Sequence, residues 1–229
     1  MSSNDVSVVL VHGAWADGSS WSKVITPLAN SGVNVIAPSL PLTSLSADVA
    51  ATGRALEHAM GQIVLVGHAY AGAVIGAARD ERVKALVYVA GLAPDEGETV
   101  ADVFGRAPPH PQAPALVPDR HGVLYLPGEA FAAAFAPDAS VDELAVLAAV
   151  QRPLSPDCIT AAVGRPLWKE CPSWFLVAEK DRMISPETQR FMARRMGAQV
   201  RSHPVDHTPS VTAPSVVVDV IREAISHNR

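Results

Sequence analysis

Val64-Leu65-Val66-Gly67-His68-Ala69-Tyr70-Ala71-Gly72-Ala73 is the stretch that decides the fold. An apolar run reads as a buried strand, and it passes through small residues into a helical pattern. This is the layout of the G-x-S-x-G elbow, which sets its central residue on a strained turn at the carboxyl end of a central strand. The flanks of such a turn must be small because strand and helix pass close together, and Gly67, Ala71 and Gly72 meet that need. An ordinary glycine-rich strand-to-helix turn would share these features, so the partners elsewhere in the chain carry weight.

Outward from the elbow, short Val- and Ile-rich runs alternate with longer helical patterns. That is the rhythm of crossover units and of a parallel sheet buried on both faces. Six strands are expected, at Val6 to Val11, Val33 to Ala37, Gln62 to Val66, Val83 to Ala90, Ser173 to Ala178 and Gln199 to His203. Helices are expected from Ser20 to Ser31 before Gly32, from about Ala47 to Met60 before Gly61, and from just after Gly67 to about Asp80. A fourth takes Ser185 as N-cap and Pro186 as its first residue and stops at Gly197, and Pro214 opens a last helix toward Ser226.

From about Pro94 to Pro166 the alternation breaks. The segment is rich in Ala and Pro, with a helical pattern over Val141 to Val150. Roughly 70 residues is too long for a plain connection, and the apolar content favours a cap over a disordered insert. The expected organisation is therefore a core of residues 1–93 and 167–229 with a small helical cap at 94–166 between the fourth and fifth strands.

Composition narrows the function classes. The 229 residues are 48% hydrophobic, ample for one domain with a large core. The formal net charge of −5 comes from interspersed acids and bases, so no basic run is available for nucleic acid or an anionic membrane surface. Met1 to Asp5 lacks the pattern of a secretory signal, and no apolar stretch reaches the roughly 18 residues of a membrane span. A cytoplasmic protein is the expectation, with a homodimer admitted. Cys158 and Cys171 lack metal or redox spacing. His203 and His207 are four apart, but Pro204 and the strand context exclude a helical metal face, so neither a metal nor a cofactor is expected.

Two segments fall where an elbow needs partners. After the fifth strand comes Glu179-Lys180-Asp181-Arg182-Met183-Ile184-Ser185-Pro186, which places Asp181 in a loop at the strand's carboxyl end. After the sixth comes Pro204-Val205-Asp206-His207-Thr208-Pro209-Ser210, which does the same for His207. Nucleophile position, acid and histidine thus follow the chain order of this kind of site. His207 reads as general base, and Asp181 as the group that fixes its tautomer and steadies the imidazolium. Asp95 and Asp206 are alternative acids, with Asp181 preferred because its loop joins consecutive elements. In Val11-His12-Gly13-Ala14-Trp15, a tight turn after the first strand can aim the Ala14 N–H at the same point as that of Tyr70, making an oxyanion hole. His12 and His68 read as scaffold histidines. Trp15, Tyr70, Phe104, Trp168 and Met183 are candidates to line an apolar pocket. Core packing would explain each of them too, and Phe104 equally well.

The HGAW-x5-W opening at His12 to Trp21, the GHAYAG elbow, the Glu179 to Pro186 segment and Asp206-His207-Thr208-Pro209 together resemble one branch of the α/β-hydrolases. It is the plant-type esterase and hydroxynitrile lyase branch, with its small bacterial esterase relatives. The resemblance covers nearly the whole chain and implies an α/β-hydrolase fold acting on a small carboxylic ester or lactone through a Ser-His-Asp triad, an oxyanion hole and an acyl-enzyme. By that resemblance Asp181 and His207 match the acid and base, Ala14 and Tyr70 match the oxyanion donors, and Ala69 stands where the family has serine. A methyl group neither gives up a proton nor attacks a carbonyl, so binding without turnover is expected. Either the alanine inactivates a hydrolase, the preferred reading, or the chain is a non-catalytic binder on the same scaffold. Lyase members of the branch carry threonine where Gly13 stands and lysine where Thr208 stands. Neither is present, which leaves C–C or C–CN cleavage as a minor option.

Overall fold

In the computed structural model, which describes residues 6–227, six strands form one all-parallel sheet in the order β2-β1-β3-β4-β5-β6. The strands are β1 (Val6–Val11), β2 (Asn34–Ile36), β3 (Gln62–His68), β4 (Val83–Val89), β5 (Ser173–Ala178) and β6 (Gln199–His203). The helices are α1 (Ser22–Asn30), α2 (Leu45–Glu57), α3 (Ala71–Ala77), α4 (Val100–Phe104), α5 (Gly128–Ala130), α6 (Val141–Val150), α7 (Asp157–Thr160), α8 (Pro186–Arg195), α9 (Pro209–Thr212) and α10 (Pro214–His227).

The period of two along each strand divides the core. Val8 and Leu10 of β1, with Val64 and Val66 of β3, join Trp21, Leu28, Val217 and Ile221 beneath α1 and α10. Val9, Val11 and Leu65 face the opposite way, toward Leu56, Val74, Ile75 and Met192 of α2, α3 and α8. Every residue of β1 and β5 is buried, which is why these strands read as unbroken apolar runs rather than alternating ones. Burying each Val or Leu side chain of this kind contributes about 1.5–3 kcal/mol before the entropy of ordering is set against it.

Most expected elements are present, with shifts at their ends that have local causes. β2 keeps only three half-buried residues of the expected five because it is an edge strand paired on one side. β3 runs two residues past Val66, to His68, and α3 starts only at Ala71 because the turn between consumes Ala69 and Tyr70. The first helix divides into a 3-10 turn over Gly18–Trp21, capped by the Asp17 carboxylate, and α1. α2 starts earlier than expected because Ser44 Oγ accepts from the Ala47 N–H and defines its N-terminus, and it stops earlier, at Glu57 with His58 as C-cap.

Residues 94–166 leave the sheet after β4 and return before β5. They carry α4, α5 with a π-helical turn at Phe131–Phe135, an antiparallel bridge between Leu124 and Leu154, α6 and α7. α6 has the expected bounds, set by a capping box of Ser140 and Glu143. Phe131, Phe135, Leu147, Leu154 and Cys158 of this stretch belong to the same buried cluster as the α2, α3 and α8 face. Polar ties reinforce the packing: Trp15 Nε1 donates to the Leu124 carbonyl at 3.0 Å, and the Ser155 N–H to the Leu42 carbonyl at 2.9 Å. Among the described residues, no helix is long and apolar enough to cross a membrane.

Candidate active site

The elbow at the carboxyl end of β3 is strained. Ala69 has φ +49°, a left-handed conformation that costs a non-glycine residue on the order of 1–3 kcal/mol. Its carbonyl accepts from the N–H groups of Gly72 at 3.0 Å and Leu92 at 2.9 Å, and its own N–H donates to the Val89 carbonyl at 3.1 Å. Close approach explains the glycines: a Cβ on Gly67 would lie 2.7 Å from the Ala71 carbonyl oxygen, and one on Gly72 would lie 2.5 Å from that of Leu92. Tyr70, next in the chain, is the N-cap of α3, and its carbonyl accepts from the Ala73 N–H at 3.0 Å.

The loops after β5 and β6 bring acid and imidazole together. His207 Nδ1 lies 2.8 Å from Asp181 Oδ2, with both side chains almost wholly buried. The carboxylate is held independently of the ring. Its Oδ1 accepts from the N–H groups of Met183 (2.7 Å) and Ile184 (2.8 Å), and Oδ2 also accepts from Gln189 Nε2 at 2.8 Å. Gln189 is itself fixed, donating to the Ile184 carbonyl and accepting from the Ala178 N–H. With Asp181 accepting at Nδ1, the tautomer this contact favours for a neutral ring carries its proton there and leaves the Nε2 lone pair free. His207 and Ala69 line one cavity of about 110 Å³.

Each alternative acid is engaged elsewhere. Asp95 pairs with Lys169. Asp206 Oδ1 accepts from Thr208 N–H and Thr212 Oγ1, and Oδ2 accepts from Asp138 N–H. It thus braces the His207 loop, and burial raises its pKa.

The two scaffold histidines order the turns. Leu40 N–H donates to His12 Nε2 and His12 Nδ1 donates to the Gly13 carbonyl, both at 2.9 Å, while burial lowers the pKa. His68 Nε2 donates to the His207 carbonyl at 2.7 Å. Full burial and the neighbouring His207 push His68 down to about 3. Both rings are therefore neutral near pH 7.

The cavity is lined by Ala14, Trp15, Ala69, Tyr70, Met183 and His207, among others, and the 94–166 segment adds Val100, Phe104, Leu116, Leu154 and Ile159. Trp15 sits at φ +57° in the turn after β1, next to Ala14. Of the residues expected from the sequence, Ala14, Trp15, Ala69, Tyr70, Phe104, Met183 and His207 meet at this cavity, with Asp181 behind the imidazole. Trp168 does not. Its indole is buried beside α3, with Nε1 donating to the Pro94 carbonyl at 3.3 Å and Lys169 and Arg195 over its ring. Leu116, Leu154 and Ile159 were not expected as lining residues, since single apolar residues between prolines carry no periodic signal. Among the described residues, no group of three or more His, Cys, Asp or Glu side chains is placed to hold a metal ion.

The family match runs over residues 8–220 and is described as the alpha/beta hydrolase family. This chain belongs to that family. A curated relative, the carbendazim hydrolyzing esterase of Nocardioides sp. (strain SG-4G), is 27% identical over 116 residues, 44% of this chain. The match spans about half (48%) of that esterase's length. Polyneuridine aldehyde esterase is similar in fold at TM-score 0.82 and 18% identity, over 96% of this chain and 98% of that one. A pyrethroid hydrolase from Sphingobium faniae JZ-2 has TM-score 0.80 at 21% identity, over 95% and 96%. A point mutant of tomato methylketone synthase I has TM-score 0.79 at 19% identity, over 97% and 98%.

Proposed function

We propose that this is the site of a serine-type hydrolase for small apolar carboxylic esters or lactones, left without its nucleophile by Ala69. One observation carries the reading: an imidazole oriented by a buried carboxylate lines the same cavity as the strained elbow residue. A surface loop or a plain binding pocket has no need of that arrangement. The ester carbonyl would sit with its oxygen between the N–H groups of Ala14 and Tyr70, donors whose value lies in the transition state. In a serine-bearing chain, His207 Nε2 would take the hydroxyl proton and the oxygen would add to the carbonyl carbon. The imidazolium would then protonate the leaving alkoxide, and water would release the acyl group by the reverse proton traffic. With a methyl at residue 69 the first bond cannot form, so substrate stays intact. Loss of one triad member costs on the order of 10⁴ to 10⁶ in rate.

The surroundings favour this over lyase chemistry. Thr208 Oγ1 donates to the Phe135 carbonyl at 2.6 Å, so no cation stands beside His207 at that position. A side chain at Gly13 would crowd His68 and Ala69. The apolar walls suit a hydrophobic acyl or aryl group, and the names of the curated relative and of two of the fold neighbours state ester or pyrethroid hydrolysis. The segment 94–166 acts as the cap that shapes this pocket.

Ala69→Ser tests the reading. The substituted chain should hydrolyse short-chain p-nitrophenyl esters with an acyl-enzyme burst, at a rate at least on the order of 10⁴ above the alanine chain. Continued inactivity on every ester and lactone tried would favour a non-catalytic binding protein instead.

A further inference from the structure

Asp48 is fully buried in the first turn of α2, yet it does not cap its own helix; Ser44 Oγ does that. Its carboxylate instead gathers donors from three separate parts of the chain. Oδ2 accepts from the Tyr70 hydroxyl at 2.7 Å and faces Cys158 Sγ of α7 at 3.7 Å, while Oδ1 accepts from the Leu42 N–H at 2.7 Å. Leu42 is held at φ +57°, and its carbonyl takes the Ser155 N–H. Burying a carboxylate is costly unless such donors compensate it, and an apolar residue would fill the space at less cost. The arrangement therefore calls for a reason beyond packing.

That reason lies at Tyr70, which lines the cavity and whose peptide N–H follows the strained Ala69. We propose that Asp48 is a positioning residue: by gripping the Tyr70 hydroxyl it fixes the orientation of the Tyr70 backbone N–H, and through Cys158 and Leu42 it couples the elbow to the 94–166 segment. Ile159, next to Cys158, lines the same cavity, so one carboxylate locates wall residues on both sides of it. The inference rests on the ester-hydrolysis reading, in which the Tyr70 N–H meets the developing oxyanion. Small displacements of such a donor are expensive, up to about 100-fold in rate for 1 Å.

The test uses the Ala69→Ser chain as reference. Adding Asp48→Asn should lower kcat for p-nitrophenyl butyrate by roughly 10- to 100-fold while leaving KM nearly unchanged. Tyr70→Phe, which deletes one oxygen and keeps the ring, should do the same, and the two together should cost no more than the worse one alone. If Asp48→Asn fails to fold by near-ultraviolet circular dichroism, Tyr70→Phe carries the test. An active Ala69→Ser chain whose kcat is untouched by either change, or one that loses only in KM, would overturn the positioning role alone. An Ala69→Ser chain inactive on all esters would remove the ester reading and this inference with it.

Discussion

His68 Nε2 donates to the His207 carbonyl oxygen at 2.7 Å, and the two rings lie 4.9 Å apart. A residue flanking the elbow thus grips the backbone of the base, so the β3 turn and the loop after β6 are registered directly against each other rather than only through the sheet. Because His68 is fully buried and pushed down to about 3, it folds neutral.

Acid lability follows. An unfolded chain binds a proton at this histidine below about pH 6.5 and the folded chain does not until about pH 3, so between those values the unfolded state holds the extra proton. Stability from His68 is complete above pH 6.5 and drains away as pH falls toward 3, with a slope of at most about 1.4 kcal/mol per pH unit. His68→Gln, whose amide can still donate to the His207 carbonyl, should give a flatter profile of urea midpoint against pH over that window. Parallel profiles for the two proteins would contradict the assignment.

Asp181→Asn in the Ala69→Ser background should lower kcat on the order of 10⁴ with little change in KM. The amide keeps the shape but no longer accepts the proton from His207 Nδ1, while its Oδ1 can still accept from the N–H groups of Met183 and Ile184. Urea unfolding run in parallel would separate this from a general loss of structure; a loss below tenfold would point to another acid.

A Cβ at residue 13 would come 3.0 Å from both His68 Nδ1 and the His68 carbonyl oxygen, and 3.2 Å from Ala69 Cβ. Gly13→Ala should therefore destabilise the chain by about 1–3 kcal/mol, the usual range for overpacking. An unshifted denaturation midpoint would mean that the turn after β1 yields more easily than its contacts imply.

Trp15→Phe removes the indole N–H that reaches the Leu124 carbonyl, a bond worth about 0.5–1.5 kcal/mol. The Leu154 N–H still donates to that carbonyl, so the loss should be local. Hydrogen exchange should rise around Leu124 and Leu154 and stay unchanged in β3 and β4; a uniform rise across the sheet would argue against a local tie.

Much of this was legible from residue order. β1, β5 and β6 and helix α6 have the bounds their patterns suggest; full burial marks β1 and β5, and a capping box marks the start of α6. Asp181 and His207 could be found because each lies just past a strand that feeds the same edge of the sheet. Trp168 could not be placed: a tryptophan before a strand points equally well at a pocket or under a helix, and here it packs beside Gly76 of α3. Asp48 was invisible for the opposite reason. An acid in the first turn of a helix looks like a helix-dipole partner, and its true partners Tyr70 and Cys158 are 22 and 110 residues away.

The 94–166 stretch shares its buried cluster with the sheet and is pegged by Trp15, Leu42 and Thr208. It is therefore no exchangeable module. Grafting the corresponding stretch from another scaffold would tear out those pegs along with the buried side chains this stretch contributes, Phe131, Phe135, Leu147 and Leu154 among them. Altering what this pocket admits is a task for single replacements at Phe104, Leu116 or Leu154, each of which reaches the cavity without serving as a peg through its side chain.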